Sequence, residues 1–247
     1  MFGGLGGVCL VHGDTPSTLM AALMALALVV GSAPTAADFA TGKAAYEQGD
    51  FSAARAQWQG LAEGGAAAAQ AALGSLYIHG EGVAVDYSEA LKWTKAAAGQ
   101  GDVTGQFNMG SIYAGGLGVE RDYGEAARWF HLAAEQYDAM SRYNLAILYS
   151  RGLGVEHDDT EAVYMLNSAA IIAGTPEIGL HELARDAERL ALNLMMTMDQ
   201  QAIQAAHKRS KEFEQHYLQF YLKGYFERRR GATETPQKTS QETPREP

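Results

Sequence analysis

The chain has 247 residues, 47% of them hydrophobic, and a formal net charge of −10. That length suffices for a sizeable core or a short repeat array. The acidic balance argues against a protein that neutralises phosphates, so nucleic acid is not an expected partner.

The first element is an apolar run, LMAALMALALVV, from Leu19 to Val30. It falls short of the ~20 residues a membrane-spanning helix needs and fits the hydrophobic stretch of an export signal. Thr35-Ala36-Ala37 before Asp38 offers a cleavage site. Residues 1–37 therefore read as a signal peptide cleaved near Ala37, and the mature chain as periplasmic or secreted. No Lys or Arg precedes Lys43, and Asp14 stands where positive charge is expected. An uncleaved anchor or a buried helix is the other reading, and Met20 offers another start. Cys9 is the sole cysteine and lies ahead of the run. Cleavage after Ala37 excludes a disulfide framework, thiol catalysis and a cysteine zinc site from the mature chain.

Residues 38–65 read as a helical hairpin. Lys43-Ala44-Ala45-Tyr46 precedes a turn at Gly49-Asp50, and Phe51, Ala54, Trp58 and Leu61 follow at helical spacing. Three registered units come next. Gly80-Glu81-Gly82-Val83, Gly116-Leu117-Gly118-Val119 and Gly152-Leu153-Gly154-Val155 are 36 residues apart, since 116 − 80 = 36 and 152 − 116 = 36. Tyr77, Tyr113 and Tyr149 keep that step, as do Asp86, Asp122 and Asp158, Glu89, Glu125 and Glu161, and three alanine pairs from Ala97-Ala98 onward. Such self-similarity is the signature of a repeat architecture.

Each unit, about 66–101, 102–137 and 138–174, reads as helix, loop, helix. Gln106, Met109, Gly110 and Tyr113 share one face of a first helix, where Gly110 lets a neighbouring backbone approach. The Gly-x-Gly loop stops that helix. Asp-x-x-Glu starts the next as a capping box, the acid three residues on reaching back to the aspartate N–H. Ala90, Trp93 and Ala97, matched by Ala126, Trp129 and Ala133, form the expected buried stripe, with Met165 in the tryptophan slot of the third unit.

These residues, Leu73-Gly74-Ser75-Leu76-Tyr77, Gly80-Glu81-Gly82-Val83, Asp86, Ala90, Trp93 and Ala97-Ala98 with their equivalents, resemble the Sel-one-like repeat family, a relative of the tetratricopeptide repeats. The 38–65 hairpin resembles a tetratricopeptide-type hairpin without the longer loop. The resemblance implies an all-α, α/α solenoid of helix-turn-helix repeats. It also implies an adaptor or scaffold role that binds a protein or peptide partner. Ala146 for the glycine and Met165 for the tryptophan depart from the pattern in the third unit.

After Gly174-Thr175-Pro176 the period changes. Leu180 to Met198 reads as one helix, and Thr197 or Asp199 as the cap of another running to about Arg230. These C-terminal helices (175–230) are expected to cap the solenoid. Residues 231–247, rich in Thr, Glu, Gln and Pro, read as a disordered tail.

Two surfaces are candidates for binding. Opposite the packed face of the first helices lie Ser75 and His79, Thr104, Asn108, Ser111 and Gly115, and Met140, Asn144, Ile147 and Arg151. By analogy with tetratricopeptide solenoids they line a concave groove, where Asn108 and Asn144 would hydrogen-bond an extended peptide. A plain solvated face is the alternative. In the last helix Phe213, Tyr217, Phe220, Tyr221 and Tyr225 form an aromatic stripe interleaved with Lys208, Arg209, Lys211 and Lys223. That stripe reads as a cap on the last repeat or as a dock for a partner or an anionic membrane.

Catalytic, metal and cofactor residues are not expected. The seven histidines lack metal spacing. There is no Gly-x-Ser-x-Gly elbow and no phosphate loop. Cysteine-rich relatives are described as acting on cell walls or β-lactams, but they pair cysteines within each repeat and this chain has none there. A non-enzymatic envelope adaptor is the leading reading, an enzyme of that cell-wall or β-lactam type the second, and a structural subunit of an envelope assembly the third.

Overall fold

The computed structural model describes residues 36–233, with side chains for 39–224. Most of the expected signal peptide, the tail beyond Thr233 and the Tyr225 side chain lie outside the described residues. Within them the chain forms ten α-helices and no strand. They are α1 (Ala36–Glu47), α2 (Phe51–Glu63), α3 (Ala67–His79), α4 (Tyr87–Gly99), α5 (Val103–Gly115), α6 (Tyr123–Glu135), α7 (Ala139–Arg151), α8 (Asp159–Ala173), α9 (His181–Met195) and α10 (Gln200–Thr233). Cleavage after Ala37 would fall inside the first turn of α1. Consecutive helices pack into an α/α solenoid, as the repeats predict.

The 36-residue register sets each boundary. Gly80, Gly116 and Gly152 adopt left-handed φ of 73, 68 and 62° and end the first helices α3, α5 and α7. A side chain there would cost conformational energy that glycine does not. Asp86, Asp122 and Asp158 then cap α4, α6 and α8, accepting from backbone N–H groups two or three residues on. The capping box itself does not form. Each aspartate N–H instead donates to a tyrosine carbonyl of the preceding helix, Tyr77, Tyr113 or Tyr149, at 3.0–3.1 Å. With that N–H satisfied, the glutamates turn outward. Glu89 accepts from Lys92 and Trp93, and Glu125 from Arg128. Asp102 and Asp138 also cap α5 and α7.

The second loop glycine ties one unit to the one before. A Cβ on Gly118 would lie 2.6 Å from Tyr87, and one on Gly154 2.3 Å from the Gly124 nitrogen. A Cβ on Gly82 would lie 2.8 Å from Phe51. Each loop therefore rests on the N-terminus of the preceding second helix, too close for any side chain.

Inside the middle hairpin Gly110 faces the Phe130 ring, where a Cβ would sit 2.5 Å from Cδ1. The close neighbour is a ring, not the backbone expected. Phe130 is 2% exposed, whereas Trp129 is only half-buried. In this unit alone the stripe is turned by one residue from the sequence reading, because Phe130 fills the space Gly110 leaves; Trp93 and Met165 are buried in the other two units, as expected. The N-terminal hairpin repeats the device with Gly42 against Trp58. Trp58 lies 16 residues after Gly42, against 20 from Gly110 to Phe130, which is the shorter loop.

Consecutive first helices touch along the array, α3 with α5, α5 with α7 and α7 with α9. The second helices α2, α4, α6 and α8 do not make comparable contacts with one another. The first helices therefore line the inner side of the curve. At the C-terminal end α9 takes the place of a fourth first helix, packing Ala184, Ala187 and Ala191 on the array. Glu182, Arg185, Glu188 and Arg189 face solvent, as a terminal repeat requires. Asp199 caps α10 through the Ala202 N–H at 2.8 Å. Rather than pair with α9, α10 lies along α8. It continues to Thr233, three residues into the expected tail.

Candidate functional site

The inner face carries the residues proposed for a groove, but not all of them are free. Asn108 is 4% exposed, and its Nδ2 donates to Ser75 Oγ at 2.8 Å. It holds α5 to α3 and cannot serve a peptide, which corrects the expectation. The cause is that first helices pack side by side, so the flank of α5 turned from its own hairpin still meets a neighbour. His79 is exposed and its Nδ1 hydrogen-bonds the Ser75 carbonyl at 2.9 Å. Ser75 and Thr104 line a cavity of ≈440 Å³ walled by Phe39, Tyr46, Trp58 and Ala71. The Tyr46 hydroxyl donates to Glu81, and burial followed by that bond pushes its pKa up.

Ser111, Asn144, Ile147 and Arg151 converge on a second cavity of ≈260 Å³ at the C-terminal ends of α5 and α7. Ala114, Leu148 and Leu153 add apolar wall, and Arg151 is the one charged residue of the lining.

The aromatic stripe of α10 is seated on the third repeat. Phe213 and Tyr217 are buried, and the Tyr217 hydroxyl bonds Thr175 Oγ1 at 3.0 Å. Phe220 is 57% exposed yet stacks on Tyr137 at 4.6 Å, and Tyr221 is half-buried. Ser210 accepts from Asn167, and Arg209 pairs with Glu161 while lying 4.1 Å over the Tyr164 ring.

Three in-register departures, one at the end of the second unit and two in the third, gather under this helix, and sequence reasoning missed them. Gln70 and Gln106 accept from Gln100 and Gln136, but Arg142 stands at the next place. Arg142 is 6% exposed, donates to the Ala134 carbonyl at 2.8 Å and to Ser168, and lies 4.3 Å over Phe213. Burial, the largest influence, holds its pKa below the usual arginine value. Lys92 and Arg128 give way to Tyr164, so Arg209 of α10 supplies the cation for Glu161. Gly65 and Gly101 have φ of 90 and 83°, and Tyr137 keeps the same left-handed turn at 64°.

A tyrosine in that region costs about 1–3 kcal/mol. Its ring meets Phe213, Tyr217 and Phe220 at centroid distances of 6.0, 5.4 and 4.6 Å, and such pairs contribute about 0.5–1.5 kcal/mol each beyond area burial. Tyr137→Gly is therefore expected to destabilise the full chain and to stabilise a chain ending before Phe213. Urea unfolding of the four proteins checks it; the same sign in both backgrounds would refute the account.

Among the described residues no group of three or more metal-ligating side chains comes together. His131 bonds the Tyr149 hydroxyl at 3.0 Å, and burial is the main cause that lowers its pKa.

The Sel1 repeat model matches residues 67–102, 103–138 and 139–171. Among solved structures the chain is similar to a Sel1 repeat protein from Oxalobacter formigenes, at 31% identity and TM-score 0.50, over 53% of this chain and 54% of that one. It is also similar to c5321, a protective antigen of uropathogenic Escherichia coli with an SLR fold, at 29% identity and TM-score 0.51, over 71% of this chain and 45% of that one. The chain thus spans about half the length of the solved structures it matches. Among curated proteins none matches it. The 36-residue register, the capped helix pairs and these matches agree: residues 67–171 are an array of three Sel1 repeats.

Proposed function

We propose that the chain is a non-enzymatic adaptor, exported to a bacterial periplasm, that binds a protein partner on its inner face to assemble or regulate an envelope complex. The observation that carries the reading is the cavity where Ser111, Asn144, Ile147 and Arg151 meet, with polar groups beside apolar wall. Specific recognition sites combine these two ingredients. The apolar run at 19–30 and the small residues before Asp38 support export.

A photo-crosslinking residue placed at Thr104 or Met140, both exposed on first helices, tests it in the native cell. Lys95, exposed on α4, serves as the control. Partner adducts are expected from Thr104 and Met140, in the periplasmic fraction, on a chain shortened near Ala37. Adducts from Lys95 alone, or on a full-length cytosolic chain, would contradict the reading.

A further inference from the structure

The Asn–Ser bond that joins α3 to α5 is not repeated between α5 and α7. Asn108 and Ser75 are 33 residues apart and hydrogen-bonded at 2.8 Å. Asn144 and Ser111 stand at the same separation one repeat later, yet no such bond joins them. Ser111 Oγ donates to the Phe107 carbonyl of its own helix, and the Asn144 amide has no side-chain partner among the described residues. Helices α5 and α7 touch less closely than α3 and α5, and the space left between them is the ≈260 Å³ cavity. Arg151, exposed in the last turn of α7, lines it and pairs with no carboxylate among the described residues. The helix end favours a cation there but leaves the guanidinium fork unengaged. In a chain of net charge −10, this cavity has no acidic residue in its lining.

We propose that this cavity receives an acidic side chain, Asp or Glu, of an extended partner peptide. The carboxylate is taken by the Arg151 fork, the geometry that matches a carboxylate with two parallel N–H donors. The Asn144 amide offers both a donor and an acceptor to the peptide backbone beside it. Ile147, Leu148 and Leu153 flank the site and favour aliphatic neighbours in the peptide. A side chain is the carboxylate source because the inner face continues to the Ser75 cavity, so a bound chain passes over Arg151 rather than ending there. This proposal rests on the inner face being the binding surface.

The test presents a randomised nonapeptide library, acetylated and C-terminally amidated, to the immobilised full chain, and sequences the retained peptides. Asp or Glu at one position is expected to be enriched about tenfold, the factor of a single charge-assisted hydrogen bond. Arg151→Gln should abolish that enrichment, and Arg151→Lys should keep part of it. Retention without acidic enrichment, or enrichment unchanged in Arg151→Gln, overturns the proposal while the inner face stands as a binding surface. Acidic selection that appears only with free C-termini also overturns it, since the carboxylate is then a chain end. If nothing is retained by the wild-type chain the proposal falls, and the photo-crosslinks decide whether the inner-face reading falls with it.

Discussion

Gly154→Ala is expected to lower the stability of the array by about 3 kcal/mol, the sum of a left-handed penalty and an overpacking penalty of about 1–3 kcal/mol each. Gly154 has φ +67°, and its added methyl would sit 2.3 Å from the Gly124 nitrogen and the Tyr123 carbonyl carbon. These are backbone atoms at a helix start, so no side-chain rotation relieves the clash. The loop must lift from α6, and the contact between the second and third units is lost with it. Gly101→Ala separates the two causes. Gly101 has φ +83° but nothing within 4 Å of the added methyl. It should lose only the backbone part, about 1 kcal/mol. Urea unfolding followed by circular dichroism measures both. Equal losses would show that the glycine serves its own dihedral and not the contact between repeats.

Phe213→Ala should cost at least as much, about 3–5 kcal/mol for a buried phenylalanine. The ring is buried against Tyr137, Tyr164 and Tyr217 and carries the Arg142 guanidinium on its face. Its removal leaves a buried cation without that face and without a carboxylate. For a chain of this size the loss corresponds to about 6–20 °C in Tm. Phe220→Ala removes a ring that is largely in solvent, and should cost about 1 kcal/mol through its one stack on Tyr137. A thermal melt of each variant decides between the two roles first weighed for the stripe. Unchanged melting of Phe213→Ala would mean that α10 is not part of the folded unit and is held ready for another molecule.

What the sequence revealed and what it hid divide along one physical line. Positions set by the hairpin itself were legible. The helix-ending glycines and the aspartate caps of the second helices recur every 36 residues, and each acts within one helix-loop-helix. Positions set by a neighbouring unit were not. A helical wheel for α5 places Asn108 away from the face of Gln106, Met109, Gly110 and Tyr113, yet α3 lies on that side and buries it. The glutamates were read as closing a box, because nothing local shows that the tyrosine carbonyls have taken the aspartate N–H groups. The seat of α10 was visible only as misfits in the third unit. Tyr137 at the end of the second unit and Arg142 and Tyr164 of the third break a register kept before them, and the reason appears when Phe213 is laid over them. The groove residues fared unevenly for the same cause: four meet at one cavity, whereas Asn108 is spent on packing.

The side-by-side contact of the first helices sets a ruler along the inner face. Neighbouring helix axes lie about 8–10 Å apart. A β-strand rises about 3.3 Å per residue, so it meets a new helix every three residues or so, and three is odd. Its side chains would point alternately toward the array and away from it at successive repeats. A polyproline-type chain climbs about 9 Å in three residues and turns once in doing so. It presents the same edge to every repeat. Wherever the first helices keep that general spacing, a threefold chain repeats its contacts from helix to helix and a twofold chain does not.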